Sequence, residues 1–221
     1  MRVAGLPLRG RGDRPLYTFC RWIVLAIFAG LYRCRAEGTE HLPATGPALI
    51  AVNHKADFDP VVVGMVFDRP FAYMAKRELF KVPVLGRLIS ALGAFPIDRG
   101  AGDRAALKTA LDLLADGHVL LMFPEGTRQP DDEIHEFLPG VALLALRSGA
   151  PVVPVAVHGT NLMLRGARPG WPALRVKAGP PVDLAGIEGR GSAAYHEAAR
   201  RMRADVTLLY DALRAEHRGG A

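Results

Sequence analysis

The chain has 221 residues, half of them apolar and 23% charged, with 28 Lys and Arg against 22 Asp and Glu, a formal surplus of +6. This is ample material for a core in one domain or at most two, and it excludes disordered, collagen-like and low-complexity classes. The surplus is confined to one end: residues 1–35 carry seven Arg and one acid, Asp13, leaving 21 bases and 21 acids in the neutral remainder. A neutral body lacks the broad basic face of most nucleic-acid-binding proteins, so a nucleic-acid partner is not expected, and only the arm keeps that class as an alternative.

The first element in the chain is the apolar run Trp22 to Tyr32, closed by Arg21 and Arg33. As a helix it reaches about 16 Å against a hydrocarbon core of ~30 Å, too short to span a bilayer. The charged stretch that follows, RCRAEGTEH, has no A-x-A pattern, which argues against a cleaved signal peptide. The pattern predicts an interfacial helix from Arg14 to Arg33, with Tyr17, Trp22 and Tyr32 as amphipathic anchors and Arg facing anionic lipid. The alternative is a first helix packed on the protein's own core. Cys20 and Cys34 would stand about 21 Å apart on such a helix, beyond disulfide reach, and read as reduced thiols of a cytosolic protein.

Beyond residue 36, short apolar runs bounded by Gly, Pro or charge predict strands at Ala48–Val52, Phe71–Ala75, Ala94–Ile97, Val119–Phe123, Val152–Val157 and Leu174–Ala178. Helices are predicted over Asp103–Ala115, with Asp103 as N-cap, and over Val141–Ser148, ending at Gly149. Tyr195, Ala199, Met202, Val206, Leu209 and Leu213 recur at helical spacing and mark a C-terminal amphipathic helix. The expected architecture is a basic membrane-docking arm over residues 1–35 and one α/β domain over 36–221, with a central, largely parallel sheet flanked by helices.

In such sheets ligands gather at the carboxyl ends of strands, and two strand ends are polar. Ala48–Val52 runs into Asn53, His54, Asp57 and Asp59; Val119–Phe123 runs into Glu125, Gly126, Thr127 and Arg128. A third cluster, Asp98 and Arg99, follows Ala94–Ile97. Imidazole titrates near neutrality, and a carboxylate on one ring nitrogen leaves the other free to take a proton, so His54 is a candidate general base with Asp59 or Asp57 as its partner. Serine occurs only at 90, 148 and 192, never in a G-x-S-x-G setting, and neither cysteine adjoins the histidine cluster. If His54 activates a nucleophile, a substrate hydroxyl is the natural one. There is no HExxH, no zinc-spaced cysteine pair and no Walker A loop, so neither metal nor cofactor is expected. Arg128 can fork onto a phosphate while Gly126 lets the backbone approach.

Taken together, NHKADFDP at 53–60, GAFPIDR at 93–99, FPEGTR at 123–128 and VVPVAV at 152–157 resemble, in order and separation, the four sequence blocks of the glycerolipid acyltransferase family. The resemblance covers residues 36–180 and is closest in kind to the 1-acylglycerol-3-phosphate (lysophosphatidate) acyltransferases. It implies that His54 is the base and Asp59 its orienting partner, with Asp57 a bystander. It further implies that Glu125, Gly126, Thr127 and Arg128 form the acceptor loop, and that Arg99 and Lys76 are further cations for the acceptor phosphate. The implied reaction moves an acyl group from acyl-CoA or acyl-carrier protein to a lysophospholipid hydroxyl without an acyl-enzyme, at the cytoplasmic face of an anionic membrane, by a peripheral or monotopic protein. Where relatives commonly read Phe-Lys-Pro-Gly, this chain reads Phe137-Leu138-Pro139-Gly140, and Gln129 stands in place of a frequent serine. The missing lysine keeps a second acceptor in view, another lysolipid or lipid hydroxyl. A lipid-binding protein without catalysis is the alternative from a different class.

Overall fold

The computed structural model describes residues 22, 26, 30–97, 104–129, 131–165, 168–189 and 191–219. Its centre is a seven-stranded sheet built from β1 (Arg35–Glu37), β2 (Ala48–Val52), β3 (Phe71–Lys76), β4 (Ala94–Ile97), β5 (Val119–Met122), β6 (Val152–His158) and β9 (Arg175–Ala178), in the order β1-β9-β6-β2-β5-β3-β4. The strands from β6 to β4 are all parallel to one another; β9 joins β6 antiparallel and β1 joins β9 parallel. A two-stranded ribbon of β7 (Leu164–Arg165) and β8 (Arg168–Pro169) stands apart.

Every residue of β2 and β6 is buried, as expected for central strands of a parallel sheet covered on both faces. Pro154 is tolerated in the middle of β6 because the register with β9 begins one residue later, at Val155, so no ladder donor is needed at that position. Alternation along the strands divides the core into two layers. Leu49, Ala51, Leu120, Val152 and Ala156 face α3 (Arg104–Ala115), α4 (Pro139–Ser148) and the long α5 (Ser192–Gly219). Ile50, Val52, Leu121, Val153 and Val155 face α1 (Asp59–Val66) on the other side.

The expected strands all form, within a residue or two of their sequence bounds, and Gly149 closes α4 at φ 67, as its place after the apolar run implied. The β7–β8 ribbon was not expected, nor were α1, α2 (Pro83–Ala91) and β1. α1 is apolar all round, and its valine run carries no helical period. α2 turns its largest apolar side chains outward. β1 has three exposed residues and no apolar pattern.

Of the expected interfacial helix, Trp22, Ala26 and Gly30 to Tyr32 are helical; its remainder, Tyr17 and Cys20 included, lies outside the described residues. Arg33 then takes a left-handed φ of 44, and the chain enters the sheet at Arg35, the last residue of the segment read as the arm. Cys34 is a free thiol, and burial pushes its pKa up. Among the described residues no helix is long and apolar enough to cross a membrane.

Candidate active site

Parallel registers decide which polar strand ends meet. Ala48 of β2, Val119 of β5 and Phe71 of β3 lie side by side, so counting forward puts His54, Glu125 and the Lys76–Arg77 junction at about one level along the carboxyl edge of the sheet. At ~4.8 Å per strand, β3 stands ~10 Å from β2 with β5 between them. On the other flank, Leu49 pairs with Val152, bringing Asn53 level with Ala156 and within reach of Val157. The Asn53 amide closes that junction, its Nδ2 donating to the Val157 carbonyl at 2.9 Å and its Oδ1 accepting from the Val157 N–H at 2.8 Å.

His54 follows directly and is almost wholly buried. Its Nδ1 lies 2.8 Å from Oδ2 of Asp59, the first residue of α1, whose side chain is fully buried. The same Oδ2 accepts the backbone N–H groups of Lys55 at 2.5 Å and Ala56 at 2.7 Å. The partner is therefore held by the turn it caps, and the amino end of α1 adds a favourable partial positive charge. A carboxylate in that place fixes the Nδ1–H tautomer and leaves Nε2 with its lone pair. Phe123 stacks on the imidazole, with ring centroids 4.0 Å apart and planes inclined by 23°. Asp57 is not the partner of His54: its carboxylate is 77% exposed and pairs with Arg128.

The second strand end supports the first from beneath. Glu125 is buried; its Oε2 accepts the backbone N–H of His54 at 2.7 Å, and its Oε1 accepts that of His135 at 3.0 Å. Gln129 N–H donates to the His54 carbonyl at 2.7 Å, so both backbone groups of the histidine are tied to the 123–129 loop. Gly126 turns that loop at φ 73, a region costly for a side chain, and a Cβ there would stand 2.6 Å from Cδ1 of Leu138. Thr127 Oγ1 accepts from Gln129 Nε2 at 3.2 Å. Arg128 is half exposed, its guanidinium 2.5 Å from Asp57. Lys76 ends β3 at the same edge, exposed to solvent. Arg99, the third expected cation, lies outside the described residues.

Strand alternation turns Lys55 to the opposite face from His54, where its side chain is completely buried. Nζ donates to the Glu133 carbonyl, lies 3.7 Å from Asp131 and sits 5.0 Å over the Tyr210 ring. Burial pushes the Lys55 pKa down, opposed by the charges of Glu125 and Asp131. Sequence inspection did not single out Lys55 or the His135 amide. The alternation past Val52 was the available signal for Lys55; nothing local marks a backbone donor 81 positions away from His54 as part of its support.

A cavity of about 870 Å³ opens at the other end of the sheet, beside Pro43, Asp116 and His118. Arg69 spans its wall, donating to the carbonyls of Pro43, Gly46 and Gly117, a stitch between loops rather than a set of convergent reactive groups.

Fold and site together define an α/β protein with a buried histidine–carboxylate pair at the carboxyl edge of a mostly parallel sheet. The family model described as Acyltransferase matches residues 33–158, which contain all of these groups, and the chain belongs to that family. A 1-acyl-sn-glycerol-3-phosphate acyltransferase of Pseudomonas aeruginosa is 29% identical over 91% of this chain and 79% of its own length. A chloroplastic protein of the same name from Arabidopsis thaliana is 30% identical over 65% of this chain, which spans only 40% of that relative. The crystal structure of the 1-acyl-sn-glycerophosphate acyltransferase PlsC from Thermotoga maritima superposes with a TM-score of 0.74 at 26% identity, covering 90% of this chain and 80% of that one.

Proposed function

We propose that this chain transfers an acyl group from acyl-CoA or acyl-carrier protein to the free hydroxyl of 1-acylglycerol-3-phosphate, giving phosphatidate, with His54 as general base. The observation that carries this reading is the 2.8 Å contact between His54 Nδ1 and the buried Asp59 carboxylate at the edge where strand ends converge. Nε2 takes the hydroxyl proton as the oxygen attacks the thioester carbonyl carbon; the C–S bond then breaks, and the proton passes from the imidazolium to the departing thiolate. Asp59 stabilises the imidazolium between these steps. Such assistance is worth about 10²- to 10⁴-fold in rate.

Arg128 and Lys76 hold the acceptor phosphate, with Arg99 as a third cation for it. Guanidinium forks give that grip direction, which sets the hydroxyl against His54. Glu125 and Gly126 act through shape: the buried carboxylate fixes the backbone of His54, and the glycine turns the loop so that Thr127 and Arg128 reach the rim. The basic arm of residues 1–35 docks the protein on an anionic leaflet, where the acceptor resides.

Purified protein given labelled acyl-CoA or acyl-carrier protein and lysophosphatidate tests the reading, with His54→Ala alongside. The expected result is phosphatidate from the wild type and a loss of at least about 10²-fold in kcat for a folded variant. Retained turnover in His54→Ala would reject the assignment. A second acceptor is favoured by one specific observation: Leu138, standing where relatives carry lysine, lies directly over Gly126 in the acceptor loop. Lysophosphatidylglycerol and glycerol 3-phosphate belong in the same screen for that reason.

A further inference from the structure

Eleven large apolar side chains are exposed among the described residues, and five of them, Leu79, Val82, Val84, Leu85 and Leu88, fall within ten consecutive positions. Val84 is 81% exposed. Isolated exposed leucines such as Leu208 on α5 need no explanation, whereas a contiguous cluster of this kind marks a surface with a partner.

Close local packing accompanies this outward pose. A short 3₁₀ turn, Arg77–Lys81, leads from β3 into α2, and buried Gly86 packs α2 so tightly on that turn that a Cβ would meet the Phe80 carbonyl oxygen at 2.5 Å. Val84, Leu85 and Leu88 of this amphipathic helix are exposed, while Ile89 is half-buried. Interleaved with them are exposed Arg77, Lys81 and Arg87 against a single acid, Glu78. This local positive surplus sits in a body whose total charge, this segment included, is neutral. The turn begins where β3 leaves the sheet, at the same carboxyl edge that carries His54.

We propose that residues 77–88 are a second membrane-contact surface, distinct from the N-terminal arm, which inserts Leu79, Val82, Val84, Leu85 and Leu88 into an anionic lipid leaflet while Arg77, Lys81 and Arg87 meet lipid phosphates. Apolar side chains ringed by cations match the boundary between acyl chains and anionic headgroups. The surface sets the sheet edge against the leaflet, so that an acceptor enters the site without leaving the lipid. That last step rests on the acyl-transfer reading; the lipid contact itself does not.

The test uses the full chain with Cys20→Ser and Cys34→Ser and one new cysteine, either Val84→Cys or Leu208→Cys, labelled with an environment-sensitive nitrobenzoxadiazole dye. Vesicles of phosphatidylcholine, with or without phosphatidylglycerol, are then added. The dye at 84 should brighten severalfold and shift to the blue with the anionic vesicles, while the dye at 208 stays unchanged. An unchanged dye at 84, an equal response at both positions, or a dye at 84 already blue-shifted before lipid is added would overturn the proposal, the last by showing that another part of this chain or a second copy covers the patch. In parallel, Val84→Asp/Leu88→Asp should lose at least about tenfold turnover on lysophosphatidate in vesicles and keep it on the same acceptor in detergent micelles. Equal loss in both would reject the surface as a docking element. Absence of acyl transfer by the wild type in micelles would reject the functional reading and leave the dye result to decide the lipid contact.

Discussion

The guanidinium of Arg128 lies 2.5 Å from the carboxylate of Asp57, two residues before the buried Asp59 that holds His54. Two aspartates separated by one residue thus face opposite environments: one is exposed against a cation, the other is sealed against an imidazole. If Arg128 receives the acceptor phosphate, Asp57 competes for it. An exposed ion pair contributes about 0–1 kcal/mol, so Asp57→Asn should lower the acceptor KM by at most about fivefold and leave kcat unchanged. Steady-state kinetics with varied lysophosphatidate check this, beside Arg128→Ala, which should raise KM. A collapse of kcat in Asp57→Asn would mean that the two aspartates have been assigned the wrong way round.

Glu125 serves the site from within. Each of its oxygens accepts one backbone N–H, so Glu125→Gln sets an amide NH₂ against a buried donor. An unsatisfied buried donor costs about 1–3 kcal/mol. The expected variant folds with a lowered Tm and a reduced kcat, because the His54 backbone loses one of its anchors, while the acceptor KM changes little. A large rise in KM at unchanged Tm would instead place Glu125 against the acceptor.

Leu138 offers a test of specificity. Its side chain covers Gly126, and its N–H bonds the Pro124 carbonyl at 2.8 Å, so a longer cationic side chain there would reach the same loop as Arg128. Leu138→Lys should raise kcat/KM for lysophosphatidate by up to about fivefold relative to lysophosphatidylglycerol, the scale of one exposed charge pair. Competition between the two acceptors in one assay reads the ratio directly. An unchanged ratio would make position 138 peripheral to acceptor choice.

His158 ends β6 behind the site, with Tyr210 and His217 against its ring at centroid distances of 5.6 and 5.0 Å. Burial pushes its pKa below the ordinary 6.5, reinforced by the positive fields of His217, Arg214 and Lys55 and opposed by Asp132. A group with a folded value below its unfolded one takes up its proton more readily after unfolding. Its contribution is therefore complete above about pH 6.5 and is lost as pH falls toward the folded value. Tm measured from pH 8 to pH 5 should decline on the acid side, and His158→Gln should flatten that decline. Parallel curves for the two proteins would assign the acid sensitivity elsewhere, His118 being shifted in the same direction by burial.

The strands and the three clearly patterned helices were readable because burial on one or two faces leaves a period or an uninterrupted apolar run in the sequence. α1 and α2 were not readable, for opposite reasons. The valines of α1 are apolar on every side and form no stripe, whereas α2 is amphipathic but turns its apolar residues outward, so its stripe marks no face packed on the core. Within the site, His54 and both candidate aspartates were visible as a polar cluster after a strand. The choice between Asp57 and Asp59 came from the resemblance to a family, and the geometry agrees, because Asp59 opens α1 and turns back over the loop while Asp57 points outward.

By itself, then, the sequence determined the alternation of strands and helices, the polar strand ends, the absence of a serine elbow and the concentration of net charge in the first 35 residues. Those are local properties, set by period, composition and neighbours in the chain. Only the tertiary structure decided that Glu125 lies under the His54 backbone, that Lys55 faces away from its neighbour His54, and that five apolar side chains beyond β3 are exposed. Each of these depends on the register of parallel strands joined by crossovers. Register is fixed by packing between residues some 70 positions apart, as between His54 and Glu125, and spacing along the chain does not encode it.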